Sequence, residues 1–284
     1  MEGGFWFANS YAEAAGRFLI ACNDLREAGH KVESERLEIG MTGPDGEPLC
    51  IDVAVVGSLE SGKVLLSSSG IHGVEGYPGS AIQLAIMDDL CKEEAFKDHA
   101  VILIHTINPY GMAWWRRFNE NNVDLNRNFL TRNQEYSGVP DGYEQIREFI
   151  NPESPPPKKE KWFKLKALNL IRKYGFNNLK QWVAEGQYEY PKAIQYGGNC
   201  LQPGPDLLLN WLDKTLKDVK QIWAIDLHTG LGPSGYDTLL VSEGMSVDDF
   251  NHLESLFPGH IESLDPNAGV GYQIVGDLHQ GLID

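Results

Sequence analysis

An apolar run that stops at a histidine is the feature that most constrains this chain. Residues 65–76 begin with apolar and small side chains, and the loop that follows carries His72 and Glu75, three positions apart. A buried strand that ends in such a loop can present two ligands to one metal ion. The same spacing also occurs in ordinary surface loops, so a metal site here needs a third ligand from elsewhere in the chain.

Composition sets outer limits on the fold and on the partners. The 284 residues include 42% hydrophobic and 10% aromatic side chains, enough to bury the core of one large α/β domain or of two small ones. The net charge of −16 argues against a nucleic-acid binder, because such proteins neutralise phosphates with a basic surface. The sequence has no apolar run of about 18 residues, so it predicts no membrane span.

The first residues and the cysteines bear on the compartment. Residues 1–7 have neither a basic start nor a long apolar stretch, so they do not resemble a secretory signal. The cysteines are scattered and form no Cys-x-x-Cys pair, which favours reduced structural thiols in a cytoplasmic protein. They are Cys22, Cys50, Cys91 and Cys200.

The order of the predicted elements indicates an α/β fold. A strand, a loop, a helix and a second strand follow one another from residue 63 to residue 104, as in a βαβ unit. Loops at the carboxyl ends of such strands are the usual place for function, and the His72 loop would lie there. Helical spacing predicts helices over residues 10–28, 78–90, 205–219 and 247–256, and apolar runs predict strands over residues 32–39, 49–56, 63–68, 101–104 and 238–242.

A polar stretch rich in arginine and asparagine follows the 101–104 strand. It includes Arg116, Arg117, Asn119 and the run Val-Asp-Leu-Asn-Arg-Asn-Phe over residues 123–129. One interpretation is a solvated loop whose asparagines form structural turns. The other is the polar wall of a cleft that holds an anion, because arginine offers forked donors to a carboxylate or an oxyanion.

A second apolar run ends in a histidine near residue 228. In the strand predicted from residue 221, Ala224, Asp226 and His228 point to one face, and a glycine turn follows. A lone histidine at the end of a strand is more often structural than a ligand. With His72 and Glu75 already placed, however, His228 is the obvious candidate for the third metal ligand.

Taken together, these motifs resemble the signature of the zinc carboxypeptidase superfamily, and more narrowly its bacterial DUF2817 branch. The resemblance runs from about residue 10 to about residue 240 and includes an Asn-Pro-x-Gly motif from Asn108, an Arg-x-Asn motif from Arg117 and the run over residues 123–129. It implies one domain over residues 1–284, with a central mixed, largely parallel sheet flanked by helices. It also implies one Zn²⁺ per chain, held by His72, Glu75 and His228.

The resemblance also implies roles for the polar stretch. Arg117, rather than Arg116, would stabilise the oxyanion. Asn126 and Arg127 would bind the terminal carboxylate of the substrate.

Two aspartates are candidates for partners of the zinc histidines. Asp124 would fix the tautomer of His72, as zinc-bound histidines usually require. Asp226 either has a similar part or binds water, and the sequence leaves both options open.

Two departures from the family pattern affect the expected activity. Val74 stands where the digestive-type enzymes often have an arginine that contacts substrate. The family's general-base glutamate lies on a strand well beyond the last histidine, and Glu243 is the best local substitute for it. We therefore expect a chain that lacks its C-terminal part and hydrolyses poorly.

Between the polar stretch and His228 lies a basic segment. Residues 158–180 hold eight of the 24 basic residues and one acid, and they predict an amphipathic helix within a basic helical insertion at about 151–200. A solvated helix packed on its own domain is the favoured interpretation. A membrane or protein partner is an alternative, as is a positive field that draws in anionic substrates. An aromatic and glycine-rich loop region over residues 186–199 is a candidate specificity rim.

Three functional hypotheses follow. The leading one is a zinc-dependent, carboxypeptidase-like hydrolase that cleaves an amide bond next to a free carboxylate. The second is a deacylase of N-acyl amino acids, of the aspartoacylase and succinylglutamate desuccinylase type. The third is a zinc-binding protein with weak catalysis. The expected partner is accordingly a peptide or an N-acyl amino acid with a free carboxylate.

Overall fold

The computed structural model describes residues 5–94, 98–152, 154, 162–230, 234–241, 245–263 and 274–283. In chain order, the elements are α1 (Tyr11–Glu27), β1 (Val32–Thr42), β2 (Pro48–Gly57), β3 (Lys63–Ser69), α2 (Gly76–Leu90), β4 (Ala100–His105), α3 (Pro109–Ala113), α4 (Tyr143–Ile150), α5 (Phe163–Tyr174), α6 (Phe176–Ala184), α7 (Pro203–Thr215), β5 (Gln221–Leu227), β6 (Leu239–Val241), α8 (Val247–Leu256), β7 (Ile261–Ser263) and α9 (Leu278–Ile283).

The chain forms two compact units. The first unit consists of Met1–Gln134, Cys200–Thr229 and Gly276–Asp284, and it contains the five-stranded sheet. The second consists of Glu135–Asn199 and Gly230–Val275. None of the described helices is both long enough and apolar enough to cross a membrane.

The sheet of the first unit has the strand order β1-β2-β4-β3-β5. The pairs β1–β2 and β2–β4 are antiparallel, whereas β3–β4 and β3–β5 are parallel. This confirms the predicted mixed sheet. Its parallel part consists of β3 and β5, which lead into the predicted metal ligands, and of β4, which leads into α3 and the polar stretch.

Helix α1 shows why the predicted elements form where they do. The hydroxyl of Ser10 accepts a hydrogen bond from the backbone N–H of Glu13 at 3.2 Å and so caps the helix. The buried residues of α1 recur at helical spacing, and its second half packs on strands β2 and β4. The members of that core cluster are Phe18, Cys22, Leu25, Ala54, Val56, Met87, Val101 and Leu103.

The parallel register of β3 and β5 determines where the functional loops leave the sheet. Ser68 pairs with Asp226 and Ser69 pairs with Leu227, so the two strands end level with each other. His72 follows shortly after β3, and His228 follows directly after β5. Both histidines therefore lie at the carboxyl edge of the same pair of strands, as predicted for functional loops in such sheets.

The second unit corrects the prediction of one helix over residues 158–180. Residues 158–161 lie outside the described residues, and the remainder forms two helices, α5 and α6. Gly175 separates them with a φ of +80°, a conformation that breaks an α-helix and that L side chains rarely adopt.

The apolar repeat that predicted a buried face on this helix is exposed instead. Trp162, Leu165 and Leu168 are 64%, 58% and 61% exposed. The ring contacts of α5 are made by Phe163, which stacks on Phe149, and by Tyr174, which meets Trp182 edge to face. The three-residue spacing therefore does not mark a buried face, and no residue of α5 is buried.

Smaller differences concern the ends of elements. The predicted helix over residues 205–219 is α7, which ends at Thr215. Within the strand predicted over residues 238–242, Leu239–Val241 form β6, which pairs in parallel with β7 in the second unit, and residue 242 lies outside the described residues. The helix predicted over residues 247–256 is confirmed as α8. No disulfide joins any of the four cysteines, all of which lie among the described residues.

Candidate metal centre

The three predicted metal ligands come together in the first unit. His72, Glu75 and His228 each offer a ligand atom, and these atoms all lie within 4.8 Å of one another. Glu75 ends a single 3₁₀ turn, Gly73–Glu75, that leads directly into α2. The two strand ends and this turn therefore supply one ligand each.

The carboxylate of Glu75 lies between the two imidazoles. Its Oε1 is 3.0 Å from Nδ1 of His72, and its Oε2 is 3.3 Å from Nδ1 of His228. The backbone N–H of Thr229 donates to Oε2 at 2.8 Å and so fixes the carboxylate. The side chains of His72, Glu75 and His228 are 6%, 12% and 34% exposed, so the centre opens to solvent on the His228 side.

The outer nitrogen of each imidazole contacts a buried aspartate. Nε2 of His72 lies 3.2 Å from Oδ1 of Asp124, and Nε2 of His228 lies 2.7 Å from Oδ2 of Asp226. A proton on each Nε2, donated to its aspartate, leaves the lone pair of each Nδ1 free for a metal ion. Two such imidazoles and one carboxylate fit a catalytic zinc site, which has three protein ligands and an open position.

The electrostatics of the centre favour a cation. Burial alone would raise the pKa of Glu75, but hydrogen bonds from His228 and His72 outweigh it and hold that pKa well below its usual range. Burial alone would also raise the pKa of Asp124, but the charges of His72 and Arg117 outweigh it and hold that pKa far below its ordinary value. Both carboxylates are therefore ionised at neutral pH.

The aspartate and histidine at the end of β5 are strongly coupled. Burial alone would lower the pKa of His228, but hydrogen bonds to Asp226 and Glu75 raise it to about 10. Burial would raise the pKa of Asp226, but the hydrogen bond from His228 outweighs it and lowers that pKa. Without a metal ion, His228 thus holds a proton that a metal must displace from Nδ1.

The loop that carries His72 and Glu75 (the metal loop) packs backbone against backbone on the loop that carries Arg116 and Arg117 (the arginine loop). The N–H groups of Gly73 and Val74 donate to the carbonyl oxygens of Arg117 and Arg116 at 3.1 and 2.9 Å. A Cβ on Gly73 would lie 2.1 Å from the carbonyl carbon of Gly111, so only glycine permits this approach. The contact places the Arg117 side chain beside the three ligands.

Arg117 is the arginine that reaches the centre. Its Nε and Nη2 each lie 3.1 Å from Oδ2 of Asp124, and its Nη1 lies 3.8 Å from Oε1 of Glu75. The guanidinium side chain is 36% exposed, so one part of it can still meet a ligand. For Arg116, by contrast, the contact with the metal loop runs through its backbone oxygen.

The predicted carboxylate-binding pair lies next to Asp124 but is buried. Arg127 is 1% exposed, and its Nη1 donates to the backbone oxygen of Asn126 at 2.6 Å. Asn126 is 7% exposed, and its Oδ1 accepts a hydrogen bond from the N–H of Leu278 at 3.4 Å. A role for this pair in binding the substrate carboxylate stays a prediction.

The asparagines of the polar stretch fix the loop. Oδ1 of Asn119 accepts from the N–H groups of Asn121 and Val123 at 3.0 and 2.8 Å. Oδ1 of Asn128 accepts from the N–H of Gln202 at 2.8 Å. The asparagines therefore form structural turns, as one interpretation expects, but Asn119 and Asn128 are buried rather than solvated. The interpretation of the stretch as an anion-binding wall stays a prediction.

Sequence reasoning missed one polar contact and left another open. Oγ of Ser68 donates to Oδ1 of Asp226 at 2.6 Å, and Asp226 contacts His228 rather than standing apart from it. No sequence motif indicates the role of Ser68, because its pairing with Asp226 becomes visible only in the register of the sheet. The candidate general base, Glu243, lies outside the described residues.

Comparison with family models decides the classification. The model described as "Protein of unknown function (DUF2817)" matches residues 7–284. The chain belongs to the DUF2817 family. No curated protein matches the sequence of this DUF2817 chain.

Solved structures share the fold of the DUF2817 chain at low sequence identity. Bovine thrombin-activatable fibrinolysis inhibitor, solved with tick carboxypeptidase inhibitor, has a TM-score of 0.51 and 14% identity, with 98% of this chain and 82% of that chain covered. Carboxypeptidase A from Helicoverpa armigera has a TM-score of 0.54 and 13% identity, with 96% of this chain and 60% of that chain covered. The DUF2817 chain thus spans less than two thirds of the insect enzyme.

A further structure of thrombin-activatable fibrinolysis inhibitor has a TM-score of 0.52 and 13% identity, and the match covers 100% of this chain and 65% of that one. Identities this low show the fold alone. The DUF2817 chain therefore shares the carboxypeptidase-like α/β fold of these structures. It also has a group of three side chains near the strand ends that could hold a metal ion.

Proposed function

We propose that the protein is a zinc-dependent hydrolase that cleaves an amide bond next to a free carboxylate. The observation that carries this proposal is the convergence of His72, Glu75 and His228 to within 4.8 Å on a carboxypeptidase-like fold. The two imidazoles turn Nδ1 toward Glu75 and Nε2 toward an aspartate, as a preformed metal site requires.

In this proposal His72, Glu75 and His228 hold the zinc ion. When bound, zinc would polarise the carbonyl of the scissile amide and lower the pKa of a water molecule at its open position. His228 is the most exposed of the three side chains, at 34%, so a substrate would approach from its side.

Arg117 is the group that would stabilise the developing negative charge. Its guanidinium is partly exposed and lies 3.8 Å from Glu75, so a carbonyl oxygen near the metal ligands is within reach of an N–H donor. Asp124 binds Nε and Nη2 of Arg117, which limits the rotation of the side chain and leaves Nη1 on the side of the ligands. Such preorganisation is what makes a donor effective in the transition state.

The general base must be a group other than the three carboxylates described at the centre. Glu75 lies between the two Nδ1 atoms, while Asp124 and Asp226 each contact a ring Nε2. All three are engaged in holding the histidines. Glu243 stays the candidate that the sequence provides for this role.

A peptide with a free C-terminus is the substrate class that the fold favours. An N-acyl amino acid is a second candidate because of two residues at the substrate-recognition positions. Val74, which is 39% exposed, offers no charge on the metal loop, and only 1% of Arg127 is exposed. Neither residue offers an exposed cation to a terminal carboxylate, so small N-acyl substrates belong in the panel beside peptides.

The proposal is tested by zinc analysis combined with a panel of peptides and N-acyl amino acids. We expect one zinc per chain, lost in His72→Ala and in His228→Ala, and hydrolysis that a chelator abolishes. His99→Ala is a matched control, because His99 is 42% exposed and its ring contacts Asp98. Full zinc occupancy in the double variant His72→Ala/His228→Ala would contradict the site, and zinc binding without turnover of any substrate would support the third hypothesis.

A further inference from the structure

We propose that Ser68 and Asp226 are positioning residues that hold His228 in the tautomer and orientation needed for metal binding. The inference rests on the proposed zinc site and adds to it the contacts that lead from His228 through Asp226 to Ser68 on β3. It follows from the chain of contacts Ser68–Asp226–His228–Glu75, in which Asp226 and His228 each have a defined partner on either side.

The sheet register creates this chain of contacts. Ser68 on β3 pairs directly with Asp226 on β5, and parallel neighbours in register project their side chains to the same face. Asp226 and His228 are two residues apart, so they share that face at the end of β5. The backbone therefore places all three side chains in a row before any ligand binds.

Each carboxylate oxygen of Asp226 has its own partner. Oδ1 accepts the hydroxyl proton of Ser68 at 2.6 Å, and Oδ2 lies 2.7 Å from Nε2 of His228. The Asp226 side chain is 3% exposed and Ser68 is fully buried, so water does not compete for either contact. A carboxylate held at both oxygens has little freedom to rotate. Its support matters at His228 because this side chain is the most exposed of the three proposed ligands.

The two histidines are held in different ways. Asp124 holds His72 and binds Arg117 at the same time, so its loss would affect both the metal and the oxyanion donor. The contacts of Asp226 instead run back into the sheet through Ser68. Removal of the Ser68 hydroxyl therefore tests the positioning of His228 without a direct change at Arg117.

The experiment compares the zinc affinity of the full chain with that of Ser68→Ala and Asp226→Asn, measured by competition with a chromophoric chelator. Loss of an outer partner of a zinc histidine typically weakens metal binding about 10–100-fold, and we expect this for Asp226→Asn. For Ser68→Ala we expect a loss of about 3–10-fold, since it removes the support of that partner and not the partner itself.

Ser69→Ala is the matched control on the same strand. Ser69 is also fully buried, and its hydroxyl donates to Oε1 of Gln83 at 3.1 Å, away from Asp226. Both serine variants lose a buried hydrogen bond, so both should melt at a lower temperature than the unmodified chain. Only Ser68→Ala should also lose zinc affinity and alter the visible spectrum of the Co²⁺-loaded protein, which reports ligand geometry.

The outcomes separate this inference from the proposed function. If the unmodified chain binds no zinc, the metal site itself is wrong. If it binds one zinc and Ser68→Ala has the same affinity and the same cobalt spectrum as Ser69→Ala, the metal site stands and the positioning role is refuted.

Discussion

Oδ1 of Asp124 lies 3.2 Å from Nε2 of His72. The other oxygen of the same carboxylate binds Nε and Nη2 of Arg117, so one buried aspartate orients both a proposed metal ligand and the proposed oxyanion donor. Asp124 also caps the 3₁₀ turn that follows it, where Oδ1 accepts from the N–H of Asn126 at 3.1 Å. The polar stretch and the metal loop thus form one assembly around a single carboxylate.

Replacement of Asp124 by asparagine should weaken zinc binding. The amide retains the size of the side chain but removes the negative charge that strengthens the Nε2 contact and the Arg117 pair. We expect a loss of about 10–100-fold in zinc affinity, measured by chelator competition. Asp98→Asn, at an aspartate whose side chain is 87% exposed and contacts His99, is the control and should bind zinc normally. Equal affinities in the two variants would show that Asp124 does not support His72.

Arg117 and Arg116 form a natural pair of test and control. Arg117→Ala should lower kcat about 10²–10³-fold, the usual effect of removing one oxyanion donor, while zinc binding is largely retained. Arg116→Ala should stay close to the unmodified chain, because the contact of Arg116 with the metal loop is made by its backbone. Steady-state kinetics on the best substrate of the panel measure both. The reverse order of effects would assign the oxyanion role to Arg116.

Gly73 tests the close approach of the metal loop to helix α3. A methyl group at this position would lie 2.1 Å from the backbone of Gly111 and would force the metal loop away from α3. Overpacking typically costs about 1–3 kcal/mol, so Gly73→Ala should lower the free energy of unfolding by at least this amount and also weaken zinc binding.

Gly16→Ala is the control for this substitution. Gly16 lies in α1, and a Cβ there would meet no atom within 4 Å. Alanine is favoured over glycine in a helix by about 0.5–1 kcal/mol, so this variant should be as stable as the unmodified chain or slightly more stable. Chemical denaturation measures the free energy of unfolding of both variants. A Gly73→Ala protein as stable as the unmodified chain would contradict the close approach at Gly73.

Asp52 predicts a pH dependence of stability that is independent of the metal centre. Burial raises the pKa of Asp52 from an ordinary value of 3.8 to about 6, although its hydrogen bond with Arg36 at 2.6 Å acts in the opposite sense. The folded state binds this proton more tightly than the unfolded state does. The stabilisation is therefore present below about pH 4 and is lost as the pH rises through about 6.

The variant Asp52→Asn lacks this titration. Its free energy of unfolding, relative to that of the unmodified chain, should rise between about pH 4 and pH 7 by an amount on the order of 3 kcal/mol. Arg36→Met should move the transition to higher pH, because it removes the cation that lowers the pKa of Asp52. Denaturation curves at several pH values measure the difference, and parallel profiles for the unmodified chain and Asp52→Asn would contradict the prediction.

The convergence of the three candidate metal ligands was predictable because its signal is local. His72 comes shortly after β3, His228 follows β5 directly, and the ends of a parallel pair of strands meet at one edge of the sheet. The spacing of His72 and Glu75 corresponds to one short turn, so both side chains can reach the same point. For these residues, sequence order and chemistry were sufficient.

The contact of Asp124 with His72 was expected from the family resemblance, whereas other features depend on strand register and packing, which local sequence patterns do not reveal. The pairing of Ser68 with Asp226 is set by the register of two strands that are far apart in the chain. The burial of Arg127 depends on the packing of its own loop and of residues 276–283. The break at Gly175 was visible as a glycine, but a helix that continues through glycine is also common, and only the φ of +80° decides.

The most direct test is anomalous X-ray diffraction at the zinc absorption edge from crystals of the zinc-loaded protein. We predict one strong peak per chain, about 2.0–2.1 Å from Nδ1 of His72 and from Nδ1 of His228, with an oxygen of Glu75 as the third protein ligand. A peak bonded to other residues, or no ordered zinc at these three side chains in a fully loaded crystal, would contradict the proposed metal centre.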